Sequence, residues 1–226
     1  MSQLNFTLMH LSRPPVEKSK GKAPGLLLLH GVGANEEDLM GLAPYLDPRF
    51  HIISARAPIE MGPGMYGWYW IQMLSDGSFL YSEEEARQSV EPLSDFVEEI
   101  LDAYELDRER FYLVGFSQGA IQSCALLLTE PEKMAGIVAM SGRWPEPAEE
   151  ERASDERLAG KPVLAVHGMY DPVIPIHYGR ELKAKFEALP VDFTYQEFPM
   201  QHNVSEASLR LVSEWLTEQL DGEKER

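Results

Sequence analysis

Four consecutive leucines, Leu26 to Leu29, follow a Pro-Gly pair and stop at His30-Gly31. A run so short that is apolar on both faces reads as a strand buried on both sides. Strands of that kind belong to parallel sheets, and a parallel sheet needs helices on each face to cover it. Further apolar runs repeat the signal at Phe50 to Ala55, Phe111 to Val114, Met134 to Met140 and Pro162 to Val166. Leu4 to Leu11 and the alternating stretch Val191 to Phe198 add two more candidate strands. Between them lie helical patterns at Glu36 to Leu46, Ala120 to Thr129 and Ile176 to Leu189, and a closing helix opened by a cap at Asn203 to Glu206. That helix is expected to bury Val204, Val212, Trp215 and Leu216. A capping box at Ser82 to Glu85 starts a long apolar face that runs to Tyr104, with Pro92 set to kink or divide it. The fold class expected is α/β: a mostly parallel, doubly wound sheet flanked by helices. No linker divides the chain, so residues 1–226 are expected to form a single domain. Arg143 to Arg157, charged and Pro-bearing, reads as an exposed loop with a short helix.

Composition removes several function classes. The net charge of −17 argues against nucleic acid and anionic lipid, which are held by Lys and Arg. Cys124 is the one cysteine, so neither an internal disulfide nor a CxxC metal site can form. It reads as a small buried helix residue. No apolar run reaches the roughly 18 residues of a membrane span, and the N-terminal residues lack the order of a signal peptide. Cytoplasm is the expected location, with no stable membrane insertion.

Gly115-Phe116-Ser117-Gln118-Gly119 fits G-x-S-x-G between a strand and an apolar helix. That is the setting of a nucleophile elbow, a tight turn that lifts a serine hydroxyl off the sheet. The competing reading is an ordinary Ser N-cap. A serine needs a base, and the base needs an orienter, arriving in the chain order Ser, Asp or Glu, His. Among six histidines, His202 follows the last strand and every other required part. His10 and His51 lie in strands, His30 and His167 end strands, and His177 starts a helix. Asp171, just past the strand ending at Val166, is the expected orienter, and Asp171-Pro172 also reads as a turn starter. Both readings can hold together. Donors for a tetrahedral oxyanion are expected from the Gln118 N–H and from the Val32 N–H in the glycine loop after Leu29.

These residues resemble the phospholipase/carboxylesterase family of α/β hydrolases, the group that includes the acyl-protein thioesterases. The resemblance is carried by His30-Gly31-Val32-Gly33-Ala34-Asn35-Glu36-Glu37-Asp38-Leu39, the Gly-Phe-Ser-Gln-Gly elbow, His167-Gly168 with Asp171-Pro172-Val173, and His202. It implies a serine carboxylic-ester hydrolase that needs no cofactor. The implied substrates are small-molecule esters of short or medium acyl chains, lysophospholipids or acyl thioesters. It places the triad on Ser117, Asp171 and His202, and the oxyanion donors on Val32 and Gln118. The family usually carries Gly just before the base; here Gln201 stands there. Gly tolerates backbone angles costly to other residues, so the departure bears on the loop shape at His202 and makes Gln201 a candidate to point into the cleft.

Met61 to Tyr81 is rich in Met and aromatics. It either packs onto the core or builds an ester pocket. The resemblance puts it near the active site, which favours substrate contact by Trp68 and Trp70. Gly62 to Gly67 matches G-x-G-x-x-G, but Pro63 has no N–H for a phosphate and no clear helix follows. Two other readings of the chain stay open: a catalytically silent binding module on the same fold, and a related hydrolase with another leaving group. A homodimer through a sheet edge or the Trp-rich loop is compatible with the sequence.

Overall fold

The computed structural model describes residues 6–75 and 78–222. In chain order the elements are β1 (His10–Arg13), β2 (Pro24–Leu29), α1 (Glu36–Met40), β3 (His51–Ala55), β4 (Ile59–Gly62), β5 (Met65–Gly67), β6 (Ile71–Met73), β7 (Phe79–Tyr81), α2 (Glu83–Gln88) and α3 (Val90–Ala103). They continue as β8 (Asp107–Phe116), α4 (Gln118–Thr129), β9 (Gly136–Met140), α5 (Asp155–Leu158), β10 (Pro162–Gly168), α6 (Ile176–Glu187), β11 (Asp192–Phe198) and α7 (Glu206–Gly222). Seven strands form one sheet in the order β1-β3-β2-β8-β9-β10-β11. All neighbours run parallel except the antiparallel edge pair of β1 and β3. This is the α/β-hydrolase fold, a mostly parallel mixed sheet flanked by helices.

The order reverses at β2. The chain passes from β2 to β3 on one side, then returns through β8 on the other. Strand ends diverge into a crevice at such a switch point, on the carboxyl side of the sheet. Leu29 pairs with Gly115 there, so the loops leaving β2 and β8 start side by side.

The leucine run works as its pattern requires. Leu27 and Leu29 enter the core on one face, with Phe96, Ile100 and Leu127. Leu26 and Leu28 enter the other, with Phe50, Trp215 and Leu216. The long helix is divided as Pro92 predicts: α2 ends before Ser89 and α3 starts at Val90. Pro92 then sits in the first turn of α3, where its absent N–H has no intrahelical partner to lose. Gly41 and Pro44 end α1 early, and a 3-10 turn at Ala43–Tyr45 completes the stretch expected to be one helix.

Two expectations need correction. The first strand begins at His10 rather than Leu4. The segment before it is held by a helix, with the Thr7 N–H and hydroxyl both donating to Glu99 of α3; Leu4 and Asn5 lie outside the described residues. The Arg143 stretch is not simply exposed. Arg143, Trp144 and Ala148 are buried, and the Trp144 ring packs edge-on against Phe186. Along the stretch rich in Met and aromatics, β4–β5 and β6–β7 form two antiparallel pairs outside the main sheet.

The two faces of the sheet hold separate cores, so Phe96→Ala and Leu216→Ala should act independently. Each should cost about 2–5 kcal/mol in urea denaturation, and the double variant should lose their sum within about 0.5 kcal/mol.

Candidate active site

Ser117 follows β8 directly and has φ +55° and ψ −117°. A non-glycine residue holds such angles only when its surroundings leave no alternative. The glycines two residues either side supply that confinement. A Cβ on Gly115 would lie 2.2 Å from the Gly119 carbonyl oxygen, and one on Gly119 would lie 2.0 Å from that of Leu29. Strand β2, the elbow and α4 therefore meet backbone to backbone. The ladder also continues past β8, since the Ser117 N–H donates to the Met140 carbonyl at 2.9 Å.

The structure brings the three expected side chains together. The His202 Nδ1–H donates to Asp171 Oδ2 at 2.7 Å, because a carboxylate can only accept. That leaves Nε2 to accept the Ser117 hydroxyl at 3.0 Å. Phe116 lies against the imidazole with ring centroids 4.9 Å apart. The other oxygen of Asp171, Oδ1, accepts the N–H groups of Val173 and Ile174, both at 2.8 Å. Asp171 thus starts a turn and faces the histidine at once. Burial alone would raise its pKa, but the hydrogen bond from His202 and those from Ile174 and Val173 outweigh it and hold the carboxyl below its ordinary value. These contacts therefore stabilise the fold above the ordinary carboxylate pKa and are lost as pH falls through the lowered one.

Val32 and Gln118 flank the serine. Among the described residues, neither N–H has a backbone partner. Gly31 lets the Val32 loop come close, since a Cβ there would sit 3.1 Å from the Ser117 Cβ. The loop is braced from behind. Gly33 N–H donates to Tyr66 O and Tyr66 N–H to Ala34 O, both at 2.8 Å. Asn35 caps α1 through Glu37, and the buried Glu36 accepts from Arg56 at 2.5 and 2.6 Å. The Arg56 hydrogen bond holds the Glu36 carboxyl below its ordinary pKa.

Gln201 is not strained. It is absent from the residues with positive φ and its side chain is exposed. The packing of the loop falls on Gly168 instead, where a Cβ would lie 2.3 Å from the Gln201 carbonyl oxygen. Trp68 needs correction too. It is 1% exposed, and its indole N–H donates to the His30 carbonyl at 3.0 Å. It supports the Val32 loop from beneath and has almost no surface to offer a substrate. Trp70 is exposed, and among the described residues no hydrogen bond or ring contact ties it to Ser117 or His202.

Sequence reasoning missed three supports. The Gln118 side chain accepts the Trp68 N–H and donates to the Tyr69 carbonyl, both at 2.8 Å, so it clasps β5's exit to the elbow. His30 Nδ1–H donates to the Gly31 carbonyl while Nε2 accepts the Ala57 N–H. His167 Nε2–H donates to the Ile174 carbonyl at 2.7 Å, next to the N–H that Asp171 holds. Burial lowers the pKa of both histidines. The available signal was their position, at strand ends beside glycine.

A family model described as Phospholipase/Carboxylesterase matches residues 14–220. The chain belongs to the phospholipase/carboxylesterase family. Members of this family are carboxylic-ester hydrolases. Acyl-protein thioesterase 1 of Kluyveromyces lactis is 28% identical over 209 residues, covering 86% of this chain and 91% of that protein. The Bacillus cereus carboxylesterase structure is 26% identical with a TM-score of 0.80, covering 94% of each chain. Esterase PE8 is 27% identical with a TM-score of 0.82, covering 93% of this chain and 98% of that one. Among the described residues, no helix is long and apolar enough to cross a membrane.

Because burial lowers the pKa of His30 and His167, the unfolded chain binds more protons than the folded chain once pH drops below about 6.5. Stability should therefore fall with acidity from that point, each histidine adding up to about 1.4 kcal/mol per pH unit. His167→Gln keeps a donor for Ile174 and removes one titration. Its urea-derived stability should decline less steeply than wild type between pH 6.5 and 5.

Proposed function

We propose that this protein is a serine carboxylesterase that hydrolyses short- to medium-chain esters or acyl thioesters through an acyl-enzyme on Ser117. The observation that carries the reading is the continuous hydrogen-bonded line from Ser117 Oγ through His202 to Asp171. As Ser117 Oγ attacks the carbonyl carbon, its proton passes to His202 Nε2 and Asp171 steadies the imidazolium. The oxyanion is received by the N–H groups of Val32 and Gln118, which have no other backbone partner among the described residues. Collapse breaks the bond to the alcohol or thiol, and His202 gives that leaving group its proton. Water then attacks the acyl-enzyme by the same route and frees the acid.

One feature supports an apolar acyl group. Val32, Met169, Tyr170 and Val173 are exposed side chains on the loops that carry the expected oxyanion donor and Asp171. Exposed apolar side chains on these loops suit an acyl chain rather than a charged polymer.

Ser117→Ala should abolish p-nitrophenyl butyrate hydrolysis with the circular dichroism spectrum unchanged. Asp171→Asn should lower kcat by about 10³–10⁴ with a smaller change in KM, because it supports a tautomer and not the substrate. Turnover by Ser117→Ala at the wild-type rate would overturn the assignment.

A further inference from the structure

The loop that carries the Val32 N–H is poorly fixed by its own backbone. Val32 stands between Gly31 and Gly33, and Gly33 has φ +82°, an angle that other side chains rarely adopt. Glycine on both sides leaves the direction of that N–H free to vary. An oxyanion donor is effective when its aim is set before the charge develops. The order must therefore come from contacts outside the loop.

Two of those contacts meet on one side chain. Arg56 directly follows β3, and its own N–H donates to the Met9 carbonyl at 2.8 Å. On one side its Nε and Nη2 donate to the two carboxylate oxygens of Glu36, at 2.6 and 2.5 Å. Glu36 is the first residue of α1, just past the loop. On the other side Nη1 donates to the Tyr66 hydroxyl at 3.2 Å, and the guanidinium lies 4.5 Å from the centre of the Tyr66 ring. Tyr66 is the residue of β5 whose backbone bonds Gly33 and Ala34, forming an antiparallel bridge with Ala34. One planar group thus ties the element that leaves the loop to the strand that runs beside it. An ammonium is a point charge and cannot hold both carboxylate oxygens and the phenol in that fixed geometry.

Stability alone accounts poorly for this arrangement. The Glu36 side chain is 8% exposed, and covering a carboxylate costs desolvation that a partner barely repays. The chain also holds a second two-pronged pair, Arg108 with Glu98 at 2.9 and 2.5 Å. That pair is far more exposed and joins α3 to the end of β8 opposite Ser117.

Resting on the Ser117 reading above, we propose that Arg56 is a positioning residue for ester hydrolysis. By tying Glu36 to Tyr66 it fixes the Val32 N–H where the oxyanion forms. Its influence belongs to the tetrahedral state and not to the bound ester, so it acts on kcat and leaves KM in place.

The test combines p-nitrophenyl butyrate kinetics with the inhibition constant of an alkyl trifluoromethyl ketone. Ser117 Oγ bonds to the ketone carbonyl carbon, the C=O electron pair moves to oxygen, and the serine proton passes to His202, so the adduct carries the oxyanion. Arg56→Lys keeps a cation beside Glu36 and avoids a lone buried carboxylate. Its kcat should fall at least about tenfold, short of the roughly 10²–10³ lost with a whole donor, while KM stays within about twofold. The ketone should bind more weakly by the same factor as kcat/KM falls. Tyr66→Phe keeps the ring and removes one acceptor, so kcat should drop about threefold. Arg108→Lys, the same change in the remote pair, should leave kcat, KM and ketone binding as in wild type. Should Arg56→Lys not fold, Tyr66→Phe decides by the same two readings. Wild-type turnover in the deciding variant, or a loss of kcat with ketone binding unmoved, overturns the proposal and leaves the Ser117 reading standing. Turnover that survives Ser117→Ala overturns that reading and the proposal with it.

Discussion

A serine held at φ +55° is the constraint on which the rest of the site depends. Its backbone is bent where β8 becomes α4, and nothing in serine itself favours that bend. Gly115 and Gly119 make it possible by letting three backbones touch, with the Leu29 carbonyl filling the place of a side chain. The hydroxyl is thereby set at the switch point of the sheet, beside the loop that leaves β2. The N-terminus of α4 opens at the same place and favours developing negative charge. Fold and chemistry are linked through this one contact. Removing the space removes both.

The histidines divide by burial. His30 and His167 are buried in the fold, where desolvation lowers their pKa, and each holds one loop in place through its ring. His202 is the one whose ring lies between a carboxylate and a hydroxyl. One histidine at the end of β2 shapes the Val32 side, and one in β10 shapes the turn that carries Asp171. Gln118 joins the two functions of the elbow. Its N–H is the proposed oxyanion donor, while its side chain anchors Trp68 and Tyr69. Loops are mobile by default, and these hydrogen bonds give the site a fixed wall.

Much of this was legible in the sequence, for physical reasons. Parallel strands buried on both faces leave short apolar runs, and Leu26 to Leu29 has no other comfortable reading. Pro92 announced a break because it lacks an N–H. Ser117, Asp171 and His202 were readable because the elbow and the order of its partners restrict the choice to a few residues. The unreadable parts share another property: their partners lie far away in the chain. Thr7 is held by Glu99, and Trp68 is clasped by Gln118 and bonded to His30. An indole looks the same in a sequence whether it lines a pocket or braces a loop. Arg143 misled because charge suggests solvent, whereas its guanidinium is covered by the Tyr81 and Phe79 rings.

The central claim is that Ser117, with its proton drawn toward His202, is the one nucleophile that opens esters in this protein. A fluorophosphonate probe followed by mass spectrometry of the digested protein tests it most directly. The account predicts a single adduct on the peptide containing Ser117, formed quickly in wild type and slowed a thousandfold or more when Asp171 is replaced by Asn. An adduct on another residue, or an unlabelled protein with its fold intact, would contradict it.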